Sequence, residues 1–163
     1  QRVSEGSCGL CGMDNLDEVL RPLPPISAQL DVPDEAIFSA LAQLRDHQIL
    51  NRATGAAHAA AFCAVDGSIR MVREDVGRHN ALDKVIGAAF FAERLPLSGR
   101  ILLVSGRVSF ELMQKAWVAG IPAVVALSAP TTAAVALAEV SGQVLVGFLR
   151  GERMNVYAGT LAG

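Results

Sequence analysis

Apolar residues fall along this chain in short blocks, and their spacing changes from segment to segment. After Pro33, the residues Ile37, Phe38, Leu41, Leu44 and Ile49 recur at helical intervals, and Asp34 and Glu35 suit a first turn. The spacing predicts an amphipathic helix over Asp34–Gln48 that covers another layer. Ala57–Val65 is short and apolar, Asp66-Gly67 is a hairpin turn, and Ser68–Arg73 alternates. Those pieces predict a β-hairpin. Glu74–Arg94 returns to helical spacing, with Ala81, Leu82, Val85, Ile86, Ala89 and Phe90 on one face. Strands and helices then alternate: strand Arg100–Val104, helix Phe110–Ala119, strand Pro122–Leu127, helix Thr131–Val140, strand Val144–Leu149 and a short strand Met154–Tyr157. This order predicts an α/β fold, a three-layer α/β/α sandwich whose mixed sheet has a buried parallel portion. Residues 1–33 read differently. Their glycines (Gly6, Gly9, Gly12) and prolines (Pro22, Pro24, Pro25, Pro33) mark a loop-rich lead-in to a domain over residues 34–163.

Composition narrows the class. The chain has 163 residues, which suits one domain, and 52% hydrophobic with 18% charged residues excludes intrinsic disorder. The longest apolar blocks, Ala119–Leu127 and Val144–Leu149, fall short of the roughly 20 residues that cross a bilayer. No basic–apolar–small leader opens the sequence, so no membrane association and a cytoplasmic location are expected. A net charge of −2 argues against sequence-independent binding of nucleic acid, which rests on neutralising phosphates. Three cysteines are too few for a disulfide scaffold and fit a reducing compartment. Arginine outnumbers lysine twelve to two. Arginine forks to phosphate and carboxylate better than lysine does, although a GC-rich genome accounts for the same bias.

Four constellations carry candidate chemistry. The first is Cys8-Gly9-Leu10-Cys11 in the glycine-spaced lead-in. Zinc ligation, dithiol redox chemistry and sulfur relay through a persulfide all use this spacing. Zinc needs four ligands, and the remaining thiol, Cys63, sits in an apolar strand as a core filler. Thioredoxin-type redox chemistry wants the pair inside a βαβ unit, whereas relay needs only an accessible, mobile thiolate. The second constellation, Arg73–Asn80, is polar throughout except Val76 and Gly77, and it precedes a helix. First-turn capping accounts for Glu74 and Asp75 but not for Arg78, His79 and Asn80, which suit an anion or polar-ring pocket. The third is a pair of strand-to-helix turns, Ser105-Gly106-Arg107-Val108-Ser109 and Ser128-Ala129-Pro130-Thr131-Thr132. Each is half explained by N-capping, yet both are expected at the carboxyl edge of the sheet, where open α/β sheets bind ligands. The fourth is Phe148-Leu149-Arg150-Gly151-Glu152-Arg153, followed by Tyr157. It reads as a charged turn, or as guanidinium forks for phosphate with an aromatic ring near a base or pterin.

Taken in order, Ser7–Gly12, Arg73–Gly87, Ser105–Lys115, Ala119–Thr131 and Gly147–Gly159 resemble the FdhD/NarQ family, sulfurtransferase-type accessory proteins for formate dehydrogenase. The resemblance covers nearly the whole chain, and members of the family are longer at the N-terminus. It implies a cytidine deaminase-like fold and a homodimer. It also implies an activity: persulfide sulfur is taken from a cysteine desulfurase and delivered to Mo-bis-molybdopterin guanine dinucleotide, or its tungsten form, for the formate dehydrogenase catalytic subunit. Cys8 matches the family's persulfide-carrying cysteine, and Cys11 matches the second cysteine of that motif. Phe148, Leu149, Arg150, Gly151, Glu152 and Arg153 match its guanine-dinucleotide-binding stretch, for which GDP or GMP would be a partial mimic. Ser105, Gly106, Arg107, Ser128, Pro130 and Thr131 would then grip the nucleotide ends, with Arg78 and His79 near phosphate or metal.

The implied fold does not bring deaminase chemistry with it. Zinc deaminases need H-x-E at one helix start and P-C-x-x-C at the next. Here the matching stretches read His79-Asn80-Ala81 and Pro130-Thr131-Thr132, so the general acid/base and both thiols are absent and no metal is expected. Two rivals to the sulfur carrier stand: a chaperone that holds the cofactor without sulfur chemistry, and a dithiol redox protein. Cyanolysable sulfur on Cys8 marks the carrier, and guanine-nucleotide binding without it marks the chaperone. A reversible Cys8–Cys11 disulfide marks the redox protein.

Overall fold

A computed structural model describes residues 24–26, 30–92 and 97–162; the Cys8–Cys11 motif lies outside the described residues. Helix α1 (Asp34–His47) buries Ile37, Ala40, Leu41 and Leu44 on one stripe, as its spacing requires. A short helix α2 (Ile49–Thr54) follows, then the hairpin of β1 (His58–Cys63) and β2 (Ile69–Asp75). Its turn is specific about sequence. Gly67 has φ +84°, and a Cβ there would meet the backbone of Ala36 at under 3 Å, so only glycine lets α1 lie against the hairpin. Gln43 completes that contact, donating to the Gly67 carbonyl at 3.0 Å and accepting from the Ile69 N–H at 3.2 Å.

The remaining elements are α3 (Arg78–Phe91), β3 (Ile101–Val104), α4 (Phe110–Val118), β4 (Ala123–Ala126), α5 (Thr132–Ser141), β5 (Val144–Arg150) and β6 (Arg153–Ala158). Together they make an α/β fold around one six-stranded mixed sheet in the order β2-β1-β3-β4-β5-β6. β3, β4 and β5 are parallel, while β1–β2, β1–β3 and β5–β6 are antiparallel. The two central strands β3 and β4 are buried at every position, which is why they read as continuous apolar runs rather than alternations. Helices lie on both faces. On one side α3, α4 and α5 cover Ala60, Leu102, Val104 and Val124 through Leu82, Val85, Leu112, Met113 and Leu137. On the other, α1 and Val32 cover Ala61, Leu103, Val125 and Val146. Each fully buried leucine or valine contributes about 1.5–3 kcal/mol. Cys63 is one of these core residues; its thiol is buried, as the sequence suggested.

Pieces of the lead-in are tied to this body. The Trp117 indole donates to the Pro24 carbonyl at 2.9 Å, and the Ile26 N–H donates to Ser141 O at 2.8 Å. Two local readings change. The strand β2 continues through Glu74 and Asp75, and the helix starts only at Arg78. The two acids therefore do not cap α3 from its first turn. The Glu74 carboxylate accepts the Leu50 and Asn51 N–H groups at 2.8 and 3.0 Å instead, fastening α2, a helix that the apolar spacing did not reveal.

Candidate functional site

Parallel pairing of β3, β4 and β5 sends their carboxyl ends to one edge of the sheet, and antiparallel pairing brings the start of β1 and the end of β2 to the same edge. Arg78 and His79 and the candidate residues of the third and fourth constellations therefore stand along one rim, whereas Arg73 and Glu74 face the outer edge of β2 and the helix α2. At one end of the rim, Arg78 and His79 open α3. Gly106 passes so close that a Cβ there would stand 3.2 Å from both Arg78 Cβ and His58 Nδ1. His58, the first residue of β1, thus belongs to the rim although nothing in its sequence context marked it.

His79 leans on a second residue that the sequence did not single out. Its Nε2 lies 3.6 Å from Glu111 Oε2, and Glu111 is a buried carboxylate in the first turn of α4. Glu111 reads in sequence as an ordinary first-turn acid; only the packing of α4 beside α3 gives it a histidine. Burial, followed by the neighbouring Arg78 guanidinium, pushes the His79 pKa below its ordinary value, against the opposing pull of Glu111. Among the described residues no group of three or more His, Cys, Asp or Glu side chains is placed to hold a metal ion. Close by, Asp75 is gripped by Lys84 at 2.6 Å and accepts from the Gly77 N–H at 2.9 Å and from Asn80 at 3.3 Å. Asn80 thereby serves the turn into α3.

The middle of the rim is formed by the two strand-to-helix turns, which are zipped together. Val108 and Pro130 form a parallel bridge: the Val108 N–H donates to Ala129 O at 3.3 Å, and the Thr131 N–H donates to Val108 O at 2.9 Å. Several hydroxyls here have structural work. Ser105 Oγ accepts the Ala59 N–H at 2.8 Å, and Ser109 and Thr131 cap α4 and α5 by accepting from the Leu112 and Ala134 N–H groups. Arg107 is exposed and makes no ion pair among the described residues.

At the far end, Gly147 lies beneath the second turn, where a Cβ would meet Pro130 Cδ at 2.9 Å and Tyr157 at 3.0 Å. The Phe148 N–H donates to Ser128 O at 3.2 Å, so β5 is hydrogen-bonded to that turn. Phe148 alone among the described non-glycine residues has a positive φ, 53°. A β-bulge between Gly147 and Arg150 accompanies it, and the ring is 45% exposed, tilted against Tyr157 at 6.5 Å. Held backbone strain that turns a half-exposed ring outward is a common feature of ligand clamps. Leu149 is buried, while Arg150, Gly151, Glu152 and Arg153 are exposed at the hairpin tip. Arg150 donates to the carbonyls of Leu127 and Leu149, which fixes its guanidinium across the ends of β4 and β5. A groove of about 820 Å³ continues from Glu152 and Arg153 towards Phe38 and Leu161.

The rim combines an aromatic pair, guanidinium groups, three helix N-termini and two histidines. That set suits a long anionic ligand with a planar end, and among the described residues it includes no thiol, since Cys63 lies in the core.

The sequence profile of the FdhD/NarQ family matches residues 1–161. A protein of Nocardia farcinica named sulfur carrier protein FdhD is 52% identical over 161 residues, covering 96% of this chain and 57% of the relative. Its namesake in Mycobacterium tuberculosis is 51% identical over 153 residues, covering 93% and 55%. The chain thus spans little more than half the length of these relatives. A crystal structure from Desulfotalea psychrophila, described as a candidate formate dehydrogenase accessory protein, superimposes with a TM-score of 0.78 at 30% identity. It covers 87% of this chain and 60% of that one.

Proposed function

The chain belongs to the FdhD/NarQ family, and from that premise we propose that it is a sulfur carrier that serves formate dehydrogenase by supplying sulfur to its metal cofactor. In this reading the Cys8 thiolate attacks the outer sulfur of a cysteine desulfurase persulfide. The desulfurase thiolate leaves, and Cys8 is left carrying the persulfide. The S–S bond then breaks, its electron pair returns to Cys8 as a thiolate, and the outer sulfur passes to Mo-bis-molybdopterin guanine dinucleotide, which is cargo rather than a resident group. The metal of that cargo gives the two electrons that bring the sulfur to the sulfide level. Cys11 is the second thiol of the loop.

The observation that carries the cofactor-handling half is the convergence of Arg78, Gly106, Pro130 and Phe148 on one continuous rim. Phe148 and Tyr157 offer a face to a guanine or pterin ring, and the guanidinium groups of Arg107, Arg150 and Arg153 suit phosphates. We also assign to this reading a deaminase-like layering of the fold, a homodimer and action in the cytoplasm. For the described residues, no helix is long and apolar enough to cross a membrane.

The test is mass spectrometry of the chain after incubation with a cysteine desulfurase and cysteine, with GDP binding measured in parallel. A reductant-labile gain of one sulfur on the Cys8 peptide is expected, absent in Cys8→Ala, which still binds GDP. Bound GDP with no sulfur gain would replace the carrier by a cofactor-holding chaperone.

A further inference from the structure

Among the described residues the sheet is open along β2, whose outer row of backbone N–H and C=O groups has no strand beside it. A groove of about 530 Å³ runs along that edge, lined by His47 and Ile49 on one side, by Arg70, Met71 and Arg73 on the strand, and by Ala92 at the end of α3. Ile49 and Met71 line it, and exposed apolar side chains adjoin Ile49 and Ala92 along the chain in both layers. Ile49 and Leu50 are 70% and 41% exposed on the α2 side, and Phe90 and Phe91 are 64% and 87% exposed beside Ala92. Arginines on an edge strand keep it from pairing at random, but a merely protected edge has no reason for exposed apolar side chains next to it in both layers.

The charges of β2 are sorted as well. Its acids are used internally, Glu74 by the backbone of α2 and Asp75 by Lys84 and Gly77. Its arginines are not. Neither Arg70 nor Arg73 makes an ion pair among the described residues. Among the described residues Arg73 donates to the adjacent Val72 carbonyl, and Arg70 lies in the field of Asp66, an exposed carboxylate held by Ser68. Asp46 is the acid in the groove lining.

The geometry points to a strand-docking site: β2 takes an extended, acidic segment of a partner protein. The segment's backbone pairs with the open edge, its carboxylates meet Arg70 and Arg73, and its apolar side chains settle between Ile49 and Phe91. A second copy of this chain is the wrong occupant, because antiparallel β2–β2 pairing would bring four arginines together and like charges across a strand pair repel. The proposal does not depend on what the rim at the carboxyl edge binds.

Two labelled synthetic peptides test it, one alternating valine with glutamate and the other valine with lysine. Fluorescence anisotropy should show the acidic peptide binding, more weakly as salt rises, and hydrogen exchange should show protection of the β2 amides with β6 unchanged. Arg70→Glu together with Arg73→Glu should weaken the acidic peptide about tenfold and admit the basic one. Equal binding of both peptides, protection elsewhere than β2, or no binding would overturn the proposal. So would sedimentation showing a dimer whose β2 amides are already protected.

Discussion

Replacing Phe148 by glycine should leave the fold standing and damage the ligand site. The residue holds φ 53°, a left-handed conformation that costs an ordinary side chain about 1–2 kcal/mol and costs glycine almost nothing. Against that gain, the ring is a little over half buried, so its removal loses roughly 1–1.5 kcal/mol of apolar burial. The tilted contact with Tyr157 at 6.5 Å adds about 0.5 kcal/mol to the loss. The opposing contributions nearly cancel, and the net change lies within about 1 kcal/mol of zero, a shift of roughly 2–4 °C in Tm for a domain of this size. Binding should respond very differently. Stacking of a base on an aromatic ring contributes about 1–3 kcal/mol, so GDP affinity should fall roughly 5- to 150-fold. Isothermal titration of GDP against wild type, Phe148→Gly and Phe148→Leu, with thermal melts of each, checks both halves. The leucine variant keeps the strain and loses the stacking face, so it should bind as weakly as glycine and melt no higher than wild type. Unchanged GDP affinity in both variants would refute the stacking role. A fall in Tm of the size expected for a core truncation would refute the strain argument.

Acid stability and thiol labelling give two further checks. Lys84, then the Gly77 N–H and Asn80, hold the Asp75 carboxyl down at about 2, from an ordinary value of 3.8. A depressed acid adds stability that is complete above its unfolded pKa and is lost as pH falls through the folded one. Asp75→Asn should therefore flatten the loss of stability between about pH 4 and pH 2, read as urea midpoints against pH; an acid limb identical to wild type would remove Asp75 from the account. Burial pushes the Cys63 thiol up to about 12. Native protein at pH 8 should leave Cys63 unlabelled by iodoacetamide while denatured protein labels fully, and peptide mass spectrometry reads the difference. Rapid native labelling would place Cys63 outside the core.

Where one rule of spacing governs a segment, the sequence was legible. α1, the β1–β2 hairpin and the alternation from β3 to β6 agree with the apolar spacing to within a residue or two, because each buries one periodic face. The exceptions have local causes. Asp75 stays in β2 because it pairs with His58, yet its acidity mimics a helix cap, so in sequence the strand end looks like a helix start. The helix α2 buries none of its residues and is held by a carboxylate 24 positions away, a contact that no local window contains.

The candidate site divides along the same line. Residue types with chemistry in hand, such as Arg78, His79, Arg107 and Phe148, were visible as composition out of keeping with their surroundings. His58 and Glu111 were not, because a histidine beginning a strand and an acid in a first helical turn look the same with or without a neighbour across the sheet edge.

Local chemistry lies in the chain itself: which segments alternate, where glycine must stand, and which side chains can meet phosphate or carry sulfur. Tertiary structure decided what those residues share. Parallel pairing of β3, β4 and β5 gathered three turns on one rim, the order of strands left β2 open, and the bulge in β5 set Phe148 in a conformation that no propensity predicts. Periodicity is a property of neighbours in sequence, whereas proximity across a sheet depends on strand order and register, which the whole core settles together.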